Sequence, residues 1–299
     1  GISVGFQSMD GGPSQIQLHK KMGLVQEVFT DYNFPGASNM NSGSVSASVT
    51  ASASTPVPNS ASASPLSALG HVRYSTAGGS LLKNAQPLAT QTRWGPIALV
   101  HNGNLVNCDV LKDMLQGLGV PFESGGDSEV ILQLIVRYLS LGLERAVLEA
   151  AGAIKGSYAL IVQSGDKILG LRDPHGIRPL VIGKTATSYC LASETCGLDG
   201  MGAEFVRDVS PGEMVVIHPT GIKSYRVGEG VRGASCSFEY IYFARPDSVI
   251  DGTSVYESRI KAGEVLFRDS PVAADLVVGV PDSGLPAAQG FANASGIAL

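Results

Sequence analysis

Hydrophobic residues recur with two different periods along the chain. Spacings of three and four predict two helices across 127–156. Asn and Asp at the start and Gly at the end predict another, capped helix in the stretch 107–119. Short apolar or alternating runs bounded by Gly, Pro, Asn or Asp predict strands. These runs are ISVGF, IQLHK, ALGHVRYST, GPIALV, SYALIVQSG, KILGLRD, LVIGK, SYCLAS, EMVVIHP and IKSYRV. Their close spacing favours antiparallel sheets.

The pattern changes near residue 254. SVYESRIKAGEVLFRD predicts a helix, ADLVVGV a buried strand, PDSG a turn and LPAAQGFANASG another helix. This order is typical of one βα unit of a parallel sheet, which cannot form a domain alone. We therefore expect a second, α/β domain to begin near residue 254 and to be cut off at Leu299. The chain also opens on a strand, at Gly1, so we expect it to lack residues at both ends.

Residues 35–67 differ in composition from the rest of the chain. They contain eleven serines and no charged or aromatic residue. Such a segment buries little apolar area to offset the entropy lost on ordering, and it is predicted to be a disordered insertion. A strand built from VSASVTASAS is the alternative.

Charge and cysteine usage narrow the possible functions. The formal net charge of −5 over 299 residues argues against nucleic acid as a partner. No apolar run approaches the roughly 20 residues that a membrane-spanning helix needs, so a soluble protein is expected. The four cysteines form no CxxC pair, and each alone is predicted to be a reduced thiol. They are Cys108, Cys190, Cys196 and Cys236.

Three polar sites interrupt the apolar pattern. In VHNGNL, the Asn102 amide and the Gly103 N–H could converge on an oxyanion, although a hairpin turn would use the same residues. Arg73 stands among apolar and small residues, where its guanidinium needs an anion. Asp127 opens a predicted helix after two glycines and could cap that helix or bind an ammonium group. Together they predict a pocket for a free amino acid with a reactive side-chain carbonyl, such as glutamine.

Ten motifs, in this order, resemble those of the glutamine amidophosphoribosyltransferase family. They are GHVRYSTAG, VHNGNLVN, GDSEVI, KGSYALIV, RDPHGIRPLVIG, ASETCGLD, SPGEMVVI, CSFEYIYFARPDSVIDG, SVYESR and VVGVPDSG. The resemblance covers residues 1–34 and 68–299. It implies an α+β fold: a four-layer αββα N-terminal-nucleophile glutaminase domain over 1–253, then the start of an α/β type I phosphoribosyltransferase domain over 254–299.

The resemblance also implies a reaction and its site. Glutamine, phosphoribosyl pyrophosphate and water would give 5-phosphoribosylamine, glutamate and pyrophosphate, the first committed step of purine synthesis. Arg73 and Asp127 would bind glutamine, and Asn102 and Gly103 would form the oxyanion hole. The family's nucleophile is an N-terminal cysteine whose α-amine, with a pKa of about 7.7–8.0, is the base. No cysteine here occupies that place, so we expect the 299-residue chain to be inactive.

Cofactors and partners follow from the same resemblance. Cys236 would be one ligand of a [4Fe–4S] cluster, whose other ligands would lie beyond Leu299. Asp282, Ser283 and Gly284 would form the pyrophosphate loop, with Ser283 near Mg²⁺; a plain βα turn is the structural alternative. Purine nucleotides would inhibit the enzyme, and the enzyme is expected to be a homotetramer. The compartment would be the plastid in a plant or alga and the cytoplasm otherwise.

Two other functions remain open from the sequence. One is a different N-terminal-nucleophile amidotransferase, such as hexosamine-phosphate synthase, against which the VPDSG segment argues. The other is a non-catalytic glutamine sensor that has kept the pocket without the nucleophile.

Overall fold

The structure is a computed structural model that describes residues 2–6, 14–29, 65–73, 81–227 and 232–299. The chain divides into two compact units, Gly1–Leu171 with Met214–Val227 and Arg172–Glu213 with Gly228–Leu299. These units are groups of internal contacts, and the expected domain boundary between residues 253 and 254 stays a prediction.

Among the described residues, the first unit contains nine strands and four α-helices. Its elements are β1 (Ile2–Phe6), β2 (Gln15–His19), α1 (Val25–Phe29), β3 (Pro65–Gly70), β4 (Leu88–Thr92), β5 (Gly95–Leu105), α2 (Cys108–Gly117), α3 (Asp127–Tyr138), α4 (Leu143–Ala153), β6 (Gly156–Ser164), β7 (Lys167–Arg172), β11 (Glu213–His218) and β12 (Gly221–Arg226). A six-stranded sheet has the order β12-β11-β7-β6-β5-β4, and a three-stranded sheet has the order β2-β1-β3.

Strand β5, next to the edge strand β4, is buried on both faces, which explains its continuous apolar run. Successive side chains of a strand point to opposite faces. Ile97 and Leu99 join the large core formed with α2, α3 and α4, whereas Ala98 and Val100 join a second core with Leu69 of β3. The first unit therefore stacks helices, a six-stranded sheet and a three-stranded sheet. The α+β class expected from the sequence is confirmed.

The second unit holds the remaining elements. They are β8 (Val181–Lys184), β9 (Tyr189–Ala192), α5 (Thr195–Gly200), β10 (Glu204–Asp208), β13 (Val249–Ile250), β14 (Thr253–Ser254), α6 (Val255–Asp269) and α7 (Leu285–Ser295). The strands β10, β8 and β9 form one sheet in that order, and β13 pairs with β14. The segment Glu239–Phe243 forms a π-helical turn.

Arg172 is the centre of a polar cluster in the second unit. Its side chain is only 1% exposed. Its guanidinium donates hydrogen bonds to the carbonyl oxygens of Arg178, Gly176 and Val209 at 2.8–2.9 Å. It also makes a two-pronged ion pair with Asp251, at 2.9 Å for each bond. The motif RDPHGIRP is thus held together by a buried cation whose donors are satisfied, as burial of a charge requires.

Helices α6 and α7 pack with almost no side chain between them. A Cβ atom at Gly263 would overlap the carbonyl oxygen of Ala287, and one at Gly290 would overlap that of Ile260. Ring contact between Phe267 and Phe291, with centroids 5.3 Å apart, extends the same interface. The absence of side chains at the two glycines therefore sets the distance between the helices.

Most predicted elements are present, and three predictions need correction. The segment 274–280 is not a strand, because no strand among the described residues pairs with it. The predicted insertion 35–67 lies mostly outside the described residues, but its end, Pro65–Ser67, belongs to β3 and pairs with β1. Arg73 follows β3 instead of lying inside a strand, since the pairing with β1 ends where Gly70 meets Ile2. Within the described ranges, no helix is long and apolar enough to cross a membrane.

Candidate active site

The end of β5 carries the polar residues singled out from the sequence, and His101 connects them to neighbouring elements. The side chain of His101 is 1% exposed. The ring atom Nδ1 lies 3.3 Å from the Asp127 carboxylate and 3.5 Å from the Ser128 hydroxyl, both at the start of α3. The other ring nitrogen, Nε2, is buried and has no hydrogen-bond partner among the described residues.

Two groups on β5 hold the Asp127 carboxylate: the His101 ring and the backbone N–H of Leu105. Its Oδ2 accepts a hydrogen bond of 3.0 Å from the N–H of Leu105. Burial alone would raise the pKa of Asp127, but hydrogen bonds from the His101 ring and from backbone N–H groups outweigh it and hold the pKa below 3.8. The carboxylate is therefore negative at neutral pH, half enclosed, and able to receive an ammonium group.

Gly103 takes a backbone conformation that requires glycine. Its φ is +152°, and a Cβ atom there would overlap the carbonyl oxygen of Ser157 on β6. The β5–β6 register pairs Gly103 with Tyr158 and Asn102 with Ala159. Strand pairing thus holds the Asn102–Gly103 backbone in place beside His101, and the hairpin turn considered from the sequence is absent.

Gln86 is a residue that the sequence reading missed. Its side-chain Oε1 accepts a 2.6 Å hydrogen bond from the N–H of His101, and its Nε2 donates one of 3.2 Å to the carbonyl oxygen of His101. The side chain is buried and lies just before β4. The only available signal was a polar residue next to a proline, in NAQPL, which is usual for an ordinary loop.

Arg73 lies on a cavity of about 310 Å³, together with Lys21, His71 and Gln86. Burial, more than the nearby positive charges, lowers the pKa of His71 to about 4. Asn102, Gly103 and Asp127 are outside the lining of this cavity and connect to it through Gln86 and His101. That Arg73 and Asp127 bind the two ends of one ligand stays a prediction.

The second candidate site is the loop before α7. Gly284 donates its N–H to the carbonyl oxygen of Val280 at 3.0 Å, which closes the loop onto the helix start. Asp282 and Ser283 line an open cavity of about 560 Å³ with Arg245, Asp247 and the buried Arg259. Arg245 pairs with Asp247 at 2.7 Å, and Arg259 donates to the carbonyl oxygens of Tyr240 and Ala244.

The described residues alone do not supply a complete site for either inorganic cofactor. They include no group of three His, Cys, Asp or Glu side chains that could hold a metal ion. Cys236 is a half-buried free thiol, and a [4Fe–4S] cluster needs four such ligands. Near Ser283 the loop offers the single carboxylate of Asp282, whereas Mg²⁺ prefers six oxygen ligands, several of them water.

The other three cysteines lack the features of a nucleophile. Burial raises the pKa of Cys108, and the neighbouring carboxylates of Asp127 and Asp109 raise it further. Burial also raises the pKa of Cys190 and that of Cys196. Each is therefore a protonated thiol at neutral pH, which agrees with the structural role expected from the sequence.

Known proteins resemble this chain over nearly its whole length. A family model for the glutamine amidotransferase domain matches residues 71–199. Amidophosphoribosyltransferases from Archaeoglobus fulgidus and Bacillus subtilis are 40% and 39% identical over 99% and 98% of this chain, and 59% and 56% of their own lengths. A chloroplastic relative from Arabidopsis thaliana is 44% identical over 77% of the chain and 41% of its own length.

A solved structure extends the comparison to the fold. The glutamine phosphoribosylpyrophosphate amidotransferase from Bacillus subtilis, complexed with ADP and GMP, matches with a TM-score of 0.78 and 38% identity. The match covers 99% of this chain and 58% of that one. The chain thus spans between 41% and 59% of the length of these relatives. Over the part that it spans, it belongs to the amidophosphoribosyltransferase family.

Proposed function

We propose that the protein is an amidophosphoribosyltransferase that converts glutamine, phosphoribosyl pyrophosphate and water into 5-phosphoribosylamine, glutamate and pyrophosphate. The observation that carries the proposal is the ionised Asp127 held by His101, which directly precedes Asn102 and Gly103, whose backbone conformation requires glycine. This is the arrangement that binding an amino acid and stabilising an oxyanion beside it would require. The family match supports the same conclusion.

In the proposed first half-reaction, Asp127 binds the α-ammonium of glutamine and Arg73 its α-carboxylate. The nucleophile expected from the family, an N-terminal cysteine, attacks the side-chain amide carbon as its thiolate and forms a C–S bond. An electron pair moves onto the amide oxygen, where the Asn102 amide and the Gly103 N–H stabilise it. The C–N bond then breaks, and the proton taken from the thiol leaves with ammonia. Water cleaves the thioester to give glutamate and restore the thiol.

In the proposed second half-reaction, ammonia attacks the anomeric carbon of phosphoribosyl pyrophosphate. A C–N bond forms, the bond to the pyrophosphate oxygen breaks, and ammonia loses one proton. Asp282, Ser283 and Gly284 are the residues we assign to pyrophosphate, because the loop precedes a helix start and lines the same cavity as Arg245 and Arg259.

We extend the proposal to cofactors, regulators and location. Cys236 would supply one ligand of an iron–sulfur cluster and Ser283 one oxygen to Mg²⁺, the remaining ligands coming from outside the described residues. Purine nucleotides are proposed as regulators, since a related structure was solved with ADP and GMP. We propose a homotetramer, located in the plastid if the source is a plant or alga, as for the chloroplastic relatives, and otherwise in the cytoplasm.

The proposal is tested by assaying the complete gene product for glutamate release and for pyrophosphate release from phosphoribosyl pyrophosphate. Arg73→Ala should lower kcat/KM for glutamine by about 30-fold or more, since losing one partner of an enclosed charge pair costs about 2–5 kcal/mol. The control is Arg137→Ala, at an exposed position on α3, which should leave both rates unchanged.

Each rival function has its own outcome in this assay. Glutamine binding without glutamate release would indicate a sensor, and amination of fructose 6-phosphate would indicate hexosamine-phosphate synthase. Equal kcat/KM values in the Arg73→Ala and Arg137→Ala proteins would refute the assigned glutamine pocket.

A further inference from the structure

We infer that Gln86 is a positioning residue for glutamine hydrolysis, acting through the main chain of His101; the inference rests on the proposed function. The β4–β5 register pairs Leu88 with Leu99, so its continuation would place residue 86 opposite His101. At that position the side-chain amide of Gln86 makes both hydrogen bonds to the His101 main chain, at 2.6 and 3.2 Å.

The chemistry of this contact selects glutamine. The N–H and C=O of His101 point toward Gln86 together, so the partner must accept one hydrogen bond and donate another. A primary amide does both at once. A carboxylate accepts only, and an apolar side chain does neither, which would leave a buried main-chain group without a partner.

The His101 carbonyl belongs to the peptide unit that ends in the N–H of Asn102. Holding this oxygen from the β4 side therefore fixes the orientation of the peptide that leads into Asn102 and Gly103. On the other side of His101, the imidazole holds Asp127 at 3.3 Å. Gln86 therefore holds His101, the residue that precedes the proposed oxyanion donors and whose ring contacts the proposed ammonium acceptor, Asp127.

A purely structural role for Gln86, as the last hydrogen-bonded pair between the β4 side and β5, makes different predictions. Loss of this pair would lower the free energy of unfolding, but the folded fraction would bind and hydrolyse glutamine normally. Loss of positioning would lower kcat in the folded protein and leave KM almost unchanged, because oxyanion donors act in the transition state.

The test uses three variants of the complete gene product: Gln86→Glu, Gln86→Met and Gln91→Glu. Gln91 is an exposed glutamine on the same strand, β4, and provides the matched control. Glutaminase kinetics are measured from pH 5.5 to pH 8 at a temperature well below the unfolding midpoint of each protein. Hydrogen exchange of the unmodified protein measures the protection of the His101 amide.

We expect Gln86→Met to lower kcat by about 10- to 100-fold, the size of effect that a small misplacement of catalytic groups causes, with KM within about twofold. Gln86→Glu should lose activity at pH 8 and regain it several-fold, relative to unmodified protein, as the pH falls. A protonated carboxyl group donates and accepts as the amide does, and burial raises the pKa of a carboxyl.

The pH comparison is made as a ratio to the unmodified protein. The charged and titratable groups that face this region are Lys21, His71 and Arg73 on the same cavity and Asp127 beyond His101. The ratio removes the pH effects that both proteins share. Gln86→Met should show no recovery at low pH, because it has no group to protonate.

The outcomes separate the inference from the function on which it rests. No glutamate release by the unmodified protein would overturn both. If Gln91→Glu, the control, is fully active and Gln86→Met has the same kcat as the unmodified protein, the inference alone is overturned. If the Gln86 variants fail to fold, the exchange measurement decides: a His101 amide that exchanges as fast as an exposed loop would also overturn it.

Discussion

Asp127 shows how one carboxylate is prepared for a ligand by residues distant in sequence. His101 and the N–H of Leu105 hold it from β5, and burial keeps water partly away. We expect Asp127→Asn to lower kcat/KM for glutamine by about 30-fold or more, equivalent to about 2 kcal/mol, because a neutral amide cannot pair with the α-ammonium. Glutaminase assays of the complete gene product check this. Asp113→Asn, exposed on α2, is the control and should retain full activity.

The same contacts predict a pH dependence of stability. The folded-state pKa of Asp127 lies below its ordinary value, which is about 3.9 in an unfolded chain. A lowered pKa contributes stability that is present above the unfolded value and lost as the pH falls through the folded value. The free energy of unfolding, measured by urea titration, should therefore differ between the original protein and Asp127→Asn at pH 7, and the two values should converge as the pH falls. A constant difference between pH 7 and pH 2.5 would contradict the assignment.

Gly103 is constrained by both conformation and space. Alanine at this position would combine an unfavourable φ of +152° with overlap on Ser157. We expect Gly103→Ala to lower the free energy of unfolding by about 2 kcal/mol or more, measured by chemical denaturation. Gly117→Ala, where a Cβ atom meets nothing within 4 Å, should be neutral or slightly stabilising. Equal stability of the two variants would disprove the steric argument.

At the residue scale, the sequence identified side chains with unusual chemistry but not the contacts between them. Asn102 and Asp127 stood out because an amide next to glycine and an acid at a helix start have specific physical uses. Gln86 did not stand out, since its importance comes from lying opposite His101 in a register that depends on the whole β4–β5 pairing. Such tertiary pairing leaves no local signal.

Among the secondary-structure elements, the longer helices were predicted best, because a helix contains its own hydrogen bonds. The longer helices α2, α3, α4, α6 and α7 were all predicted from the sequence, whereas the short helices α1 and α5 were not. Strand β4, LATQT, was missed because it is short and mostly polar, and it exists because it pairs with β5. The segment 274–280 was predicted to be a strand from its valines, but none of the described residues supplies a neighbouring strand.

Helices α6 and α7 offer a test of packing. A side chain at Gly290 would meet the main chain of Ile260, which cannot move without disturbing α6. We expect Gly290→Ala to destabilise the protein by about 1–3 kcal/mol, as overpacking does, with the loss read from thermal or urea unfolding. Gly152→Ala, in open space on α4, should instead stabilise by about 0.5–1 kcal/mol. A neutral Gly290→Ala would mean that the helices lie farther apart.

At the scale of the whole molecule, the segment 274–280 exposes several apolar side chains. Val278 and Val280 are each 77% exposed, next to the loop proposed for pyrophosphate. Exposed apolar segments promote association. We expect Val278→Thr with Val280→Thr to reduce self-association of the 299-residue chain, measured by sedimentation at increasing concentration. Val110→Thr, at a similarly exposed valine on α2, is the control; an equal reduction by that variant would refute a special role for the segment.

The polar cluster around Arg172 joins four parts of the second unit through one guanidinium: the backbone at Gly176, Arg178 and Val209, and the Asp251 carboxylate. None of these parts can open alone without leaving buried donors unsatisfied. The amides near them should consequently share a single opening free energy, so that in hydrogen-exchange experiments they would lose protection as one cooperative group and not as separate loops.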